Sequence, residues 1–164
     1  MQKLSLVVFL ALFSIKGMAQ KEIKTAIHIN ATPQTVWEVL TNFTEYANWN
    51  PFIKSVEGDF IEGHKVKINA GGMTFKPKVL VFEQHKEIRW IGKLLIKGLF
   101  DGEHIFEIID NKDGTSTFKQ EEKFNGLLVG LFKKKLDSET TEGFKEMNQK
   151  LKELSEKLNT VAIQ

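Results

Sequence analysis

Apolar and polar residues follow two different periods along this chain. From Leu136 onward the apolar positions are Leu136, Phe144, Met147, Leu151, Leu154 and Leu158, with Thr140 on the same side. These spacings suit one face of an α-helix. The intervening positions are mostly charged, among them Asp137, Glu142, Lys145, Lys150 and Glu156. A helix over Leu136–Leu158 is about 33 Å long at 1.5 Å per residue. Its apolar face needs a long partner surface. The strand-like middle of the chain is the candidate for that surface.

Upstream the period is two. Ile23, Ile27 and Ile29 are in phase and predict a first strand over Glu22–Asn30. Thr32 is placed as an N-cap with Pro33 at the first helical position. Val36, Trp37, Val39 and Leu40 then predict a short amphipathic helix. Phe43, Tyr46 and Trp49 predict a second, which Asn50-Pro51 stops. Strand patterns follow at Ile53–Phe60, Lys65–Ala70, Met73–Phe82, Glu87–Lys93, Leu99–Ile109 and Thr115–Phe124. Pro77 marks an edge or bulge, and Asn111–Gly114 is a hairpin loop. Gly126 releases the chain into a connection over Leu127–Phe132, the basic triplet Lys133–Lys135 and the long helix. Successive short strands with turns between them predict an α+β domain. Its antiparallel sheet has about seven strands and packs on the C-terminal helix.

The chain has 164 residues, 41% of them apolar, enough for one domain with a core. Its start reads differently. A basic Met1-Gln2-Lys3, an apolar run over Leu4–Ile15 and the small residues of Gly17-Met18-Ala19 form a secretory signal pattern. The run is short for a membrane span, which needs about 20 residues. We therefore expect a signal peptide at residues 1–19 and the folded domain at 20–164, soluble after export to the periplasm or beyond the cell. Residues 1–19 carry Lys3 and Lys16 and no acid, so 23 basic against 21 acidic residues become 21 against 21. A neutral domain has no bulk charge to draw it to nucleic acid or an anionic membrane. With no cysteine, disulfides, thiolate metal sites, a cysteine nucleophile and a lipidated cysteine are excluded. The triplet Lys133–Lys135 reads either as a solvated face or, beside Leu127–Phe132, as a contact for anionic lipid. A monomer or weak dimer is expected.

Thr32–Ile53, TPQTVWEVLTNFTEYANWNPFI, resembles the opening of the SRPBCC superfamily, which includes START-type lipid-transfer domains, the birch-pollen-allergen type and polyketide cyclase-like proteins. GEHIFEI (Gly102–Ile108) and GTSTFKQEEKFNG (Gly114–Gly126) extend the resemblance over nearly all of residues 20–164. It implies a helix-grip fold, in which a bent antiparallel sheet wraps the C-terminal helix around an apolar cavity. It leaves activity open, since one fold hosts carriers, receptors and cyclases.

Side-chain phase predicts what faces the interior. Phe118, Gln120, Glu122 and Phe124 share one face of their strand, and His104, Phe106 and Ile108 share one face of the strand before it. A simple register through Asn111–Gly114 sets His104 opposite Glu122 and Phe106 opposite Gln120, with Trp90 near His104. The helix adds Phe144 and Met147. The candidate ligand-binding residues are thus Trp90, His104, Phe106, Gln120, Glu122, Phe144 and Met147. His104 and Glu122 are the only inward pair suited to acid–base work. The same pair also reads as a ligand anchor or as a self-satisfied structural contact. His28, His64 and His85 lie at no metal-ligand spacing, and no metal or cofactor is expected. Trp37, Phe43, Tyr46 and Trp49 read as packing residues rather than a platform for bases.

Three functions fit these observations. The first is an exported domain holding a small hydrophobic molecule, such as a lipid, isoprenoid or aromatic metabolite. The second is a polyketide cyclase or dehydratase with His104 as base and Glu122 orienting it. The third is a protein-interaction role like the chaperone-ATPase activators of the superfamily, whose partners are cytosolic and so fit poorly with export.

Overall fold

The computed structural model describes residues 19–93 and 96–162. The expected signal peptide falls outside these except for Ala19, where the first strand begins. β1 (Ala19–Ile29) leads into α1 (Pro33–Thr41), a 3-10 turn at Phe43–Glu45 and α2 (Tyr46–Trp49). Among the described residues eight strands form two antiparallel sheets. The larger has the order β1-β8-β7-β6-β5, with β5 at Lys78–Glu83, β6 at Glu87–Lys93, β7 at Asp101–Asp110 and β8 at Ser116–Gly126. The smaller is β2 (Ile53–Glu57), β3 (Lys67–Ala70) and β4 (Met73–Phe75). A bridge between Lys65 and Lys78 ties the two together, so the strands form one bent surface.

The predicted run Met73–Phe82 is two strands, because Pro77 has no N–H to continue the ladder. This break raises the expected seven strands to eight. Thr32 caps α1 by accepting a hydrogen bond from the Thr35 N–H at 3.2 Å, and Val36, Trp37 and Leu40 turn inward. Tyr46 is buried and donates its hydroxyl to the Leu40 carbonyl. Burial pushes its pKa well above the ordinary tyrosine value. Phe43 stacks on Phe60 with centroids 4.3 Å apart, so these aromatics are core, as predicted.

The C-terminal helix differs from its predicted start. The stretch expected as a connection is helical from Val129: α3 (Val129–Lys135) passes through a π-helical turn (Leu136–Thr140) into α4 (Thr141–Ala162). At 3.6 residues per turn Leu136 and Phe144, eight residues apart, are roughly 80° out of phase. The wider turn takes up much of that difference, and both are buried in one cluster. Further along, the buried stripe runs through Phe144, Met147, Asn148, Leu151 and Ser155. Leu154 is only half-buried and Leu158 is exposed, because the stripe drifts to Ser155 instead of following them. Gly126 (φ 140°) starts this segment. A Cβ there would collide with the Leu99 carbonyl, which explains the glycine.

Candidate functional site

Three neighbouring strands of the larger sheet hold Trp90, His104 and Glu122 in one cross-strand row. The β6–β7 pairing sets Trp90 opposite His104, and the β7–β8 pairing sets His104 opposite Glu122 and Phe106 opposite Gln120. This is the register expected from the Asn111–Gly114 loop. That loop closes with the Asn111 N–H donating to the Thr115 carbonyl, while Lys112 and Gly114 take up positive φ.

The seven candidate residues meet in one cluster. The His104 ring lies flat against the Trp90 indole, with centroids 4.7 Å apart and planes 7° apart. Phe106 and Phe144 meet it edge-on at 4.5 and 5.2 Å. Its Nδ1 is hydrogen-bonded to Glu122 Oε2. Its Nε2 lies 3.3 Å from the side-chain nitrogen of Gln120, which also points at Met147 Sδ, 3.7 Å away. The carboxylate of Glu122 can only accept, so Nδ1 is the donor and Nε2 the acceptor of the Gln120 amide. Gln120 and Met147 have no exposed surface, and Gln120 Oε1 has no hydrogen-bond partner. Such an orphaned buried acceptor is costly unless something else meets it.

Four residues beyond the candidate set shape the site: Gly102, Asn148, Thr25 and Phe52. A Cβ on Gly102 would lie 2.5 Å from Glu122 Oε1, so the absence of a side chain makes room for the carboxylate. Its phase with His104 and Phe106 in GEHIF was the available signal. Asn148 donates to Thr25 Oγ1 at 2.9 Å, and Thr25 donates to the Gln120 carbonyl at 3.2 Å. This path ties α4 to β1 and β8. Phe52 meets Phe144 edge-on at 5.8 Å and lies against Gly143, where a Cβ would come within 2.7 Å of its ring.

His104 keeps 4% of its surface exposed, with Trp90, Phe106, Gln120, Glu122 and Phe144 against its ring. Two surface depressions lie elsewhere. One is lined by Gly130, Leu131, Lys133, Lys134, Asp137 and Ser138, and the other lies along the charged side of α4 beside Pro51. Among the described residues no three His, Asp or Glu side chains converge as metal ligands. None of the described helices is long and apolar enough to cross a membrane.

Solved structures share this architecture at low sequence identity. The Zhui aromatase/cyclase from a Streptomyces species is 12% identical, with a TM-score of 0.68 over 84% of this chain and 94% of that one. Norcoclaurine synthase from Thalictrum flavum is 13% identical, with a TM-score of 0.64 over 84% and 94%. A START superfamily protein from Mycobacterium smegmatis is 19% identical, with a TM-score of 0.61 over 84% and 99%. No curated protein matches the chain. The helix-grip arrangement and these likenesses agree with a family match over residues 20–156, and the chain belongs to the SRPBCC family described as polyketide cyclase / dehydrase and lipid transport.

Proposed function

We propose that this protein binds a small hydrophobic molecule between the larger sheet and α4, with His104 as its polar anchor. One observation carries this reading. An imidazole with Nδ1 committed to Glu122 offers an acceptor at Nε2 inside a wall of Trp90, Phe106, Phe144 and Met147. Apolar walls with one fixed polar group are typical of small-molecule sites. The ligand takes the place of the Gln120 amide and donates a hydroxyl to Nε2. Met147 is the adaptable part of the wall, being unbranched and polarizable. The resemblance to START-type and cyclase structures supports the same class of ligand. The apolar run and small residues at the N-terminus support export, which sequencing the N-terminus of the protein from its host would test.

Naphthol and naphthalene make a direct pair of probes, read by quenching of tryptophan fluorescence, to which Trp90 contributes with Trp37 and Trp49. One hydrogen bond in a dry site is worth about tenfold in affinity. Naphthol should bind about tenfold more tightly than naphthalene, and His104→Phe should abolish the difference while naphthalene binding persists. Equal binding of the two probes to the parent protein would refute the anchor.

The Nδ1–Glu122 contact also favours a second reading, a cyclase or dehydratase in which Nε2 takes a proton from a substrate carbon or hydroxyl. His104→Ala should then abolish turnover of a polyketide-like substrate by a folded protein. Undiminished turnover would exclude it.

A further inference from the structure

We infer that the loop before β7 and the start of α3 form a docking surface for an anionic phospholipid bilayer. Two segments build it. The Leu127 N–H donates to the Gly98 carbonyl and the Leu128 N–H to the Leu99 carbonyl, which sets Ile96-Lys97 beside the first turn of α3. The joined surface exposes Ile96, Leu127 and Leu131, at 66, 65 and 77% of their full areas. Elsewhere on the described residues the exposed large apolar side chains are separate: Ile61, Met73, and Leu158 and Val161 near the end of α4.

Charge identifies the occupant. Lys97, Lys133, Lys134 and Lys135 are exposed around the three apolar side chains. Of the neighbouring acids, Asp137 pairs with Lys21, Glu139 pairs with Lys135 at 3.7 Å, and Asp101 turns inward to accept the Gly98 N–H at 3.1 Å. Among the described residues no ion pair engages Lys97, Lys133 or Lys134. Residues 20–164 carry equal numbers of acidic and basic side chains, so this concentration is local. Apolar side chains ringed by exposed lysines, of which only Lys135 has an ion-pair partner among the described residues, match a bilayer, whose phosphates meet the ammonium groups while its chains take up the leucines. A protein partner with an apolar patch would leave the lysines without counter-ions.

The surface also lies over the smaller core cluster. Phe132 and Phe100 meet edge-on at 5.4 Å, Phe100 leans on Phe124 at 5.2 Å, and both border the buried Phe144 that touches His104. A bilayer bound here would sit one packing layer from the His104 wall. Docking itself stands on exposure and charge, independently of what His104 binds.

Flotation of the full chain with phosphatidylcholine vesicles, with and without phosphatidylglycerol, tests the inference. Each lysine near an anionic surface strengthens binding roughly fivefold. The double substitution Lys133→Glu and Lys134→Glu should weaken binding to the anionic vesicles by roughly 25-fold or more. Leu131→Asp should weaken it by about tenfold. Lys145→Glu with Lys150→Glu, the same charge change on the outer side of α4, should leave it nearly unchanged. All four lysines are exposed, so these charge reversals leave the core contacts intact. The inference is overturned if the patch variants bind like the parent, which would place attachment at the apolar run Leu4–Ile15. It is also overturned if both charge reversals weaken binding equally, or if the patch variants change only self-association in the absence of vesicles.

Discussion

His104 owes its chemistry to its neighbours on both sides of the ring. Glu122 holds one nitrogen and leaves the other facing Gln120 across 3.3 Å. Alternation and loop length were enough to pair His104 with Glu122, because the Asn111–Gly114 loop fixes the register and each strand keeps one face inward. The occupant of Nε2 was not legible. Phase put Gln120 inside, but its rotamer is set by α4, which brings Met147 to it. Gly102 is not legible for a related reason, since a missing side chain matters only where Glu122 needs the space. This gives a double-mutant test. Gly102→Ala should displace the Glu122 carboxylate and destabilise the protein by about 1–3 kcal/mol, the cost of unpairing a buried polar group. In a Glu122→Ala background the same change should be neutral or stabilising, as relief of backbone entropy remains and the collision does not. Urea titration of the four proteins checks it, and additive effects would deny the contact.

Elements were legible where a local cause sets them. The Thr32 cap with Pro33 begins α1, and the alternation of Thr117–Phe124 makes a strand. The sequence misled where packing decides. Leu127–Phe132 lacks an amphipathic pattern, yet Val129 becomes helical because its buried side chain is captured by the Phe124–Phe144 cluster. The π turn is invisible to a count of residues, as it exists to bring Leu136 into phase. Glu156 shows how the far end of α4 is held: it accepts the Asn30 N–H at 2.8 Å and pairs with Lys152 at 2.8 Å. Partial burial alone would raise its pKa, but the bonds from Lys152 and Asn30 win and hold it below the usual glutamate value. The folded-state pKa lies below the unfolded one. Its contribution is therefore complete above the unfolded value near 4.5 and is lost as pH falls through the folded one. Urea midpoints of the parent should exceed those of Glu156→Gln at neutral pH, and the two should converge in acid. A gap independent of pH would contradict this.

The molecule as a whole is a bent sheet gripping one long helix, with a dry polar group at the centre of the grip. The order of elements made that architecture readable before any coordinates, because successive short strands and one long amphipathic helix have few ways to bury each other. The state of the interior was not readable. Whether side chains fill the grip or leave a cavity depends on rotamers of Phe144, Met147 and Gln120 together. Gln120 and Met147 have no exposed surface, so ligand entry to His104 must move them. Anchoring a ligand on His104 requires that exchange. Native mass spectrometry of the protein isolated from its own host, followed by denaturing extraction, measures it most directly. We expect a chain carrying one small apolar molecule with a hydroxyl group, released on denaturation and depleted in His104→Phe. The bare chain mass in both proteins, with nothing extracted from either, would contradict it.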